Sequence, residues 1–330
     1  WQLWEWMGLV DYVLPSSDMP EAISNYFQAL RDNVLPSKGE PVGGTDDTQS
    51  ILSIVRRETG HDFSLYKKST INRRIERRMT VHQLDNKKHY ASYLLENPQE
   101  VHLLFHEMII DVTSFFRNPA AFDSLKDALR QAYFGSGPKR DELRVWVTAC
   151  STGEEAYSIA IVLKELIDES GQNKRVHVFG SDINEEAIQT ARLGDFPLTI
   201  ADDMDAVRLE SHFTRHENGF KIKKEVREMI IFAPHDHIRD PPFLHLDLLS
   251  CRNLLIYFEP LLQRRLLDTF SVALNSNGIL FLGESETIQG YDDLFTAIDP
   301  KWKIYRRRPY SAPSSDRYPS FQLRPRIGHG

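Results

Sequence analysis

The residues best equipped for chemistry in this sequence are carboxylates that follow directly on short apolar runs. Leu143 to Ala149 is one such run, and it leads into Cys150-Ser-Thr-Gly-Glu154-Glu155. Gly153 lets a ligand come close to the backbone, and the amides at a helix start are exposed there. A single glycine is not the G-x-G-x-x-G dinucleotide pattern, and two glutamates would repel a pyrophosphate. They suit a cation instead, although the same pair could simply complement the dipole of the helix it begins. Asp182 follows the next run, Val176 to Gly180. A carboxylate there can accept two hydrogen bonds from a vicinal diol, or cap a helix starting near Asn184. Asp236 and His237 come after a third run, Met229 to Ala233, placed to contact an adenine edge. S-adenosylmethionine meets these demands, because it carries a sulfonium, an ammonium and a ribose but no phosphate. His235, His237 and His245 lack the Cys or carboxylate spacing of a tetrahedral cage, so no metal is expected.

What must position these groups is an alternation of short apolar runs with helical stretches at Glu154 to Leu166, Glu185 to Leu193 and Leu261 to Leu274. A parallel sheet requires that alternation. The spacing predicts a doubly wound, mostly parallel α/β domain over residues 131–308. Polar, turn-rich sequence over about 195–228 predicts an inserted β hairpin subdomain. Upstream, residues 49–130 repeat apolar positions at helical spacing (Ile51, Leu52, Val55; Leu103, Leu104, Met108) and predict a small helical domain. Residues 35–48 have the Pro, Gly and Asp content of a linker, and 309–330 that of a flexible tail.

With 40 basic against 47 acidic residues the chain carries a net charge of -7, which argues against general nucleic-acid binding. Its apolar runs fall well short of the roughly 20 residues that span a bilayer, so no membrane insertion is expected. Two cysteines far apart in sequence, Cys150 and Cys251, fit a reducing cytoplasm better than a disulfide framework. One local exception stands out. Lys67, Lys68, Arg73, Arg74, Arg77 and Arg78 are set against Glu76 alone. Arg73/Arg77 and Arg74/Arg78 stand four apart, as do Ile71, Ile75 and Met79, so the spacing predicts a helix with one basic and one apolar face. Such a face can steer an acidic partner or simply be solvated.

Four stretches occur in order: DVTSFFR (Asp111–Arg117), WVTACSTGEEAYSIA (Trp146–Ala160), SDIN (Ser181–Asn184) and CRNLLIYF (Cys251–Phe258). Over about residues 50–308 the chain resembles the CheR methyltransferases. The resemblance implies a Rossmann-like domain that transfers methyl groups from S-adenosylmethionine to glutamate side chains of chemotaxis receptors in the cytoplasm, leaving S-adenosylhomocysteine. It implies that Asp111, Thr113, Arg117, Glu155, Asp182, Asp236, His237, Arg252 and Asn253 line the cofactor pocket. Arg117, Asp182 and Tyr257 are expected nearest the transferred methyl, and Arg73, Arg74, Arg77 and Arg78 are expected to meet the receptor's cytoplasmic domain. Asp111 stands where many members have Asn, which makes that contact acceptor-only when ionised. Ala156 stands where Pro is usual, and either suits a first helical turn. The hairpin around His216 to Gly219 is shorter than in members that dock on a receptor-tail peptide, so tethering to such a tail is not expected. Gly8 to Pro15 (GLVDYVLP) resembles the C-terminal end of CheB methylesterases, so residues 1–34 are expected to be the remnant of a fused methylesterase-like module. A different class of function fits the same motifs: a catalytically weak signalling module that binds S-adenosylmethionine or S-adenosylhomocysteine.

Overall fold

Among the described residues four helices come first: α1 (Asp47–Thr59), α2 (Lys68–Val81), α3 (Lys87–Glu96) and α4 (Pro98–Met108). The computed structural model describes residues 47–109, 112–135 and 141–309. The methylesterase-like stretch 1–34, most of the 35–48 linker, nearly all of the 309–330 tail and Asp111 lie outside the described residues. Each of the four helices buries one apolar stripe, and Ile51, Val55, Ile75, Tyr90, Leu94 and Leu104 meet in one core. The Asn86 side chain starts α3 by accepting from the His89 amide, and Pro98 opens α4 where a missing N–H costs nothing. Helix α5 (Pro119–Leu129) falls in the range grouped by periodicity with this helical unit. Its buried residues Phe122 and Leu125 instead share a core with Val145 and Phe281 of the sheet. Periodicity shows that a helix has an apolar face, not which element covers it.

The main sheet contains β1 (Glu142–Thr148), β2 (Arg175–Asp182), β6 (Ile230–Pro234), β7 (Leu246–Cys251), β8 (Leu274–Leu282), β9 (Phe295–Asp299) and β10 (Ile304–Arg307). Among the described residues its order is β6-β2-β1-β7-β8-β10-β9, parallel from β6 to β8, with β10 and β9 antiparallel. Helices α6 (Glu154–Ser170), α7 (Glu185–Leu193) and α10 (Pro260–Ala273) make the crossovers. β1 is covered on both faces: Val145 and Val147 enter one core, while Trp146 joins Leu249 and Phe270 in the other. From β1 the chain builds outward through β2 and β6, then returns to place β7 on the opposite side of β1. The strand order therefore reverses between β1 and β7, and the crevice beyond their carboxyl ends is where ligands bind in open α/β sheets.

The insertion is a three-stranded antiparallel sheet rather than a hairpin alone. β3 (Asp195–Pro197), α8 (Ala206–His212), β4 (Phe213–His216), β5 (Gly219–Ile222) and α9 (Lys224–Arg227) follow in the chain, with strand order β3-β5-β4. Three residues are too few for β3 to show an alternating pattern. Gly219 makes its pairing possible, since a Cβ there would come within 2.0 Å of the Phe196 carbonyl oxygen. Arg208 ties the insertion to α6 through Glu165 at 2.7 Å, with its guanidinium 4.4 Å from the Phe116 ring centre. No helix among the described residues is long and apolar enough to cross a membrane.

Candidate functional site

Left-handed backbone gathers around the carboxyl ends of β1 and β7. Ala149, Ser151 and Gly153 (φ 49°, 48° and 98°) follow β1, Asn253 (60°) follows β7, and Phe116 and Asn118 (46° and 63°) precede α5. Such conformations are uncommon away from glycine, and persist where surrounding bonds over-determine them. Here the bonds are visible. The Ser151 amide donates to Asp182 Oδ2 at 2.8 Å, and the Phe116 amide donates to Ser158 Oγ at 2.9 Å. The loop after β7 hangs on Glu286, whose buried carboxylate accepts from the amides of Gly283, Asn253, Leu254 and Leu255 at 2.6, 3.1, 2.9 and 2.7 Å. Burial pushes the Glu286 carboxyl up against the pull of those four bonds. Sequence reasoning missed Glu286, which lies 33 residues past the loop it holds and carries no local signal.

Among the acids near the cleft, the two open uses of Asp182 resolve. Asn184 caps α7 by accepting from the Glu186 and Ala187 amides, while Asp182 is held in place by the Ser151 and Asn184 amides. Asp182 therefore presents a fixed carboxylate at the cleft floor, only 4% exposed. Glu154 and Glu155 diverge. Glu154 takes the Thr152 hydroxyl at 2.7 Å, whereas Glu155 lines the cleft, bonded by Ser250 Oγ at 2.6 Å and Arg252 Nη1 at 3.3 Å. One acid of the pair, Glu155, lines the cleft.

Arg252 works as a tie between the walls. It donates through Nη2 to the Arg117 carbonyl at 2.7 Å and to Asn118 Oδ1 at 3.3 Å, with its guanidinium 4.6 Å from the Phe281 ring centre. Thr113, Arg117, Asn253 and Tyr257 complete that side of the cleft. Arg117 is half-buried and donates to the Val112 carbonyl at 3.0 Å. His237 is 8% exposed, and neither of its ring nitrogens has a partner. Burial pushes its pKa down to about 4, so it stands in the cleft wall as a neutral imidazole with one donor and one acceptor unused.

Two expectations take a different form in the structure. Asp236 is already held within the protein: Oδ2 bonds His61 Nδ1 at 2.6 Å and Oδ1 accepts from the Ile238 amide at 2.9 Å. The four arginines of α2 do not form one free face. Arg78 Nη2 and Nε reach the buried Glu100 at 2.5 and 2.9 Å, and Arg74 and Arg77 share Glu107 at 3.1 and 3.0 Å. Arg73 and Arg77 remain exposed. Helical spacing places Arg74 and Arg78 together, but only the packing of α4 shows that its acids lie against them. The cleft also has a wall that sequence reasoning missed, formed by Tyr66, Thr70 and Met108 of the helical unit. Their spacing carries no ligand signature. Among the described residues no group of three or more His, Cys, Asp or Glu side chains could hold a metal ion.

The residues fit S-adenosylmethionine on two counts: a fixed carboxylate and a second acid line the cleft, where a ribose and a cation could be received, and an unpaired neutral imidazole stands in its wall. The comparisons agree. The family described as CheR methyltransferase, SAM binding domain, matches residues 111–304, and the CheR methyltransferase all-alpha domain matches 46–109. An uncharacterised 104.1 kDa protein in the hypE 3' region of Rhodobacter capsulatus is 38% identical over 84% of this chain. The chain spans only 29% of that relative's length. A chemotaxis protein methyltransferase of Listeria innocua is 30% identical over 71% of this chain and 87% of its own. Chemotaxis protein methyltransferase 2 of Pseudomonas aeruginosa is 30% identical over 73% of this chain and 86% of its own. Family matches that run through both the helical unit and the sheet that builds this cleft show that the chain belongs to the CheR methyltransferases.

Proposed function

We propose that this chain transfers methyl groups from S-adenosylmethionine to glutamate side chains on the cytoplasmic domains of chemotaxis-type receptors. The observation that carries the proposal is the meeting of Asp182, Glu155, Arg117 and Tyr257 around one cleft at the sheet's switch point, in a chain of the CheR family. The names of the Listeria and Pseudomonas relatives support the chemotaxis setting. In this reading Asp182 receives the ribose hydroxyls, His237 meets the base, and Thr113, Glu155 and Asn253 hold the methionine end together with Asp111. Arg252 keeps Glu155 and the Arg117 segment in register. When bound, the cofactor supplies a methyl activated by an adjacent positive sulfur.

The receiving glutamate is already ionised near neutral pH, so no general base is required. What the chain provides is alignment. Arg117 offers a fork of N–H donors to a carboxylate, and Tyr257 adds one hydroxyl. Orientation of this kind contributes about 7–11 kcal/mol where reactants are well held. Two opposite charges vanish on transfer, so exclusion of water from the cleft on binding favours the step. The exposed Arg73 and Arg77 serve to attract an acidic receptor helix. The same proposal includes a fused methylesterase-like neighbour, supported by the resemblance of Gly8 to Pro15.

Labelled S-adenosylmethionine incubated with the chain and receptor cytoplasmic fragments tests this. Base-labile methyl on receptor glutamates is the expected result. Tight cofactor binding with no transfer to any fragment would favour the signalling module that binds without turnover.

A further inference from the structure

Asp236 was expected at the cofactor, yet its carboxylate is committed to a chain of side chains that returns to the cleft by another route. Asp236 Oδ2 bonds His61 Nδ1 at 2.6 Å, and His61 Nε2 bonds the Tyr66 hydroxyl at 3.0 Å. His61 is 3% exposed and packs edge-on against Phe63 and Tyr66, with ring centres 4.5 and 5.7 Å away. Tyr66 itself stands in the cleft wall. The three residues come from two parts of the fold: His61 and Tyr66 lie between α1 and α2, and Asp236 follows β6. Arg239 strengthens the same junction by donating to the Gly60 carbonyl at 2.5 Å, and the Lys67 amide donates to the Tyr257 carbonyl at 2.8 Å.

The polarity of this chain follows from its ends. An ionised carboxylate only accepts, so His61 Nδ1 carries the proton toward Asp236. Burial raises the Asp236 carboxyl, but the hydrogen bonds from His61 and from the Ile238 amide outweigh it and hold the group below its ordinary value. With Nδ1 as the donor to Asp236, Nε2 is left to accept, and the Tyr66 O–H donates to it. The Tyr66 oxygen then has its lone pairs left for a ligand. Burial pushes the Tyr66 phenol up, and the charges of Asp236 and Asp182 push it further. The hydroxyl thus stays neutral, and the Tyr66 ring lies 4.8 Å from that of Phe258, which in turn lies 6.1 Å from the ring of His237, the residue assigned to the base.

We propose that the Tyr66 hydroxyl oxygen accepts a hydrogen bond from the adenosine part of the bound cofactor, and that His61 and Asp236 are positioning residues that aim it. The inference rests on the cleft being the S-adenosylmethionine site. It gives Asp236 a route to the cofactor through His61 and Tyr66. An adenosine offers N–H and O–H donors that a neutral acceptor oxygen can use, so the match is chemical as well as spatial.

Calorimetric titration of the whole chain with S-adenosylhomocysteine, and competition with adenosine, tests the assignment in wild type, Tyr66→Phe, Asp236→Asn and the double variant. Phenylalanine keeps the ring and loses only the oxygen. Tyr66→Phe is expected to weaken both ligands about tenfold while its melting temperature stays near wild type. Asp236→Asn should lose less, and the double variant no more than Tyr66→Phe, because the three residues act as one unit. Wild-type affinity in Tyr66→Phe, a loss for S-adenosylhomocysteine that spares adenosine, or losses that add in the double variant would each overturn it. If the wild-type chain binds neither ligand, the cofactor reading fails first and takes this inference with it.

Discussion

Asp182 carries most of the weight at the scale of single residues. Its two oxygens are already fixed by the Ser151 and Asn184 amides, so its place does not depend on the ligand. Charge-assisted hydrogen bonds contribute about 1.5–3 kcal/mol each. Asp182→Ala should therefore lower S-adenosylhomocysteine affinity by at least about tenfold, read by calorimetry; wild-type affinity would remove Asp182 from the site. His237 gives a contrasting case. Since it is neutral in the folded chain, its titration should not shape cofactor binding between about pH 5 and 8, the range where an ordinary histidine changes charge.

Elements decide which charges are available, and α2 shows it most plainly. Arg78 is bound to Glu100, which also takes the Tyr90 hydroxyl at 2.7 Å and is 3% exposed. Removing one partner of a buried pair leaves an uncompensated charge, at a cost of about 3–5 kcal/mol. Arg78→Ala should lose stability of that order in denaturant unfolding; a loss under 1 kcal/mol would show that the pair is solvated. A charge-reversal test of receptor docking belongs at Arg73 and Arg77, not at Arg74 and Arg78. Arg73→Glu with Arg77→Glu should reduce receptor methylation at low salt while leaving S-adenosylhomocysteine affinity unchanged. Undiminished methylation would exclude this face from docking.

For the whole molecule, buried titratable groups set how stability follows pH. His237 has its pKa lowered from 6.5 to about 4 by burial, and His212 is lowered for the same leading reason. The unfolded chain binds more protons than the folded one across that window, so stability must fall as pH drops from about 6.5 toward 4. Glu100 and Asp236 are held below their ordinary values, mainly by hydrogen bonds that outweigh burial. Their contribution is present above the unfolded carboxylate range and is lost as pH falls through their folded values. Glu286, pushed up by burial, acts in the opposite direction and softens the decline. Melting temperatures measured from pH 7 to 4 should fall steadily, and His237→Gln should flatten the upper part of that curve. A parallel curve for the variant would mean that His237 is not buried neutral.

The order of helices, the alternation that makes a parallel sheet, and the motif-bearing turns after β1, β2 and β7 were all legible in the sequence. They are local, written as apolar period and as glycine or acid at a strand end. Most of the expected cleft residues, from Thr113 to Tyr257, do line one cleft for the same reason: the sheet topology brings strand ends together. Only the tertiary structure decided who partners whom. Asp236 meets His61 across 175 positions, Arg78 meets Glu100 across 22, and α5 joins the sheet rather than the helices beside it in sequence. The strength of a hydrogen bond or ion pair depends on distance and burial, and both arise when separate elements pack, so no spacing along the chain can encode which carboxylate lines the cleft and which one bonds a distant histidine.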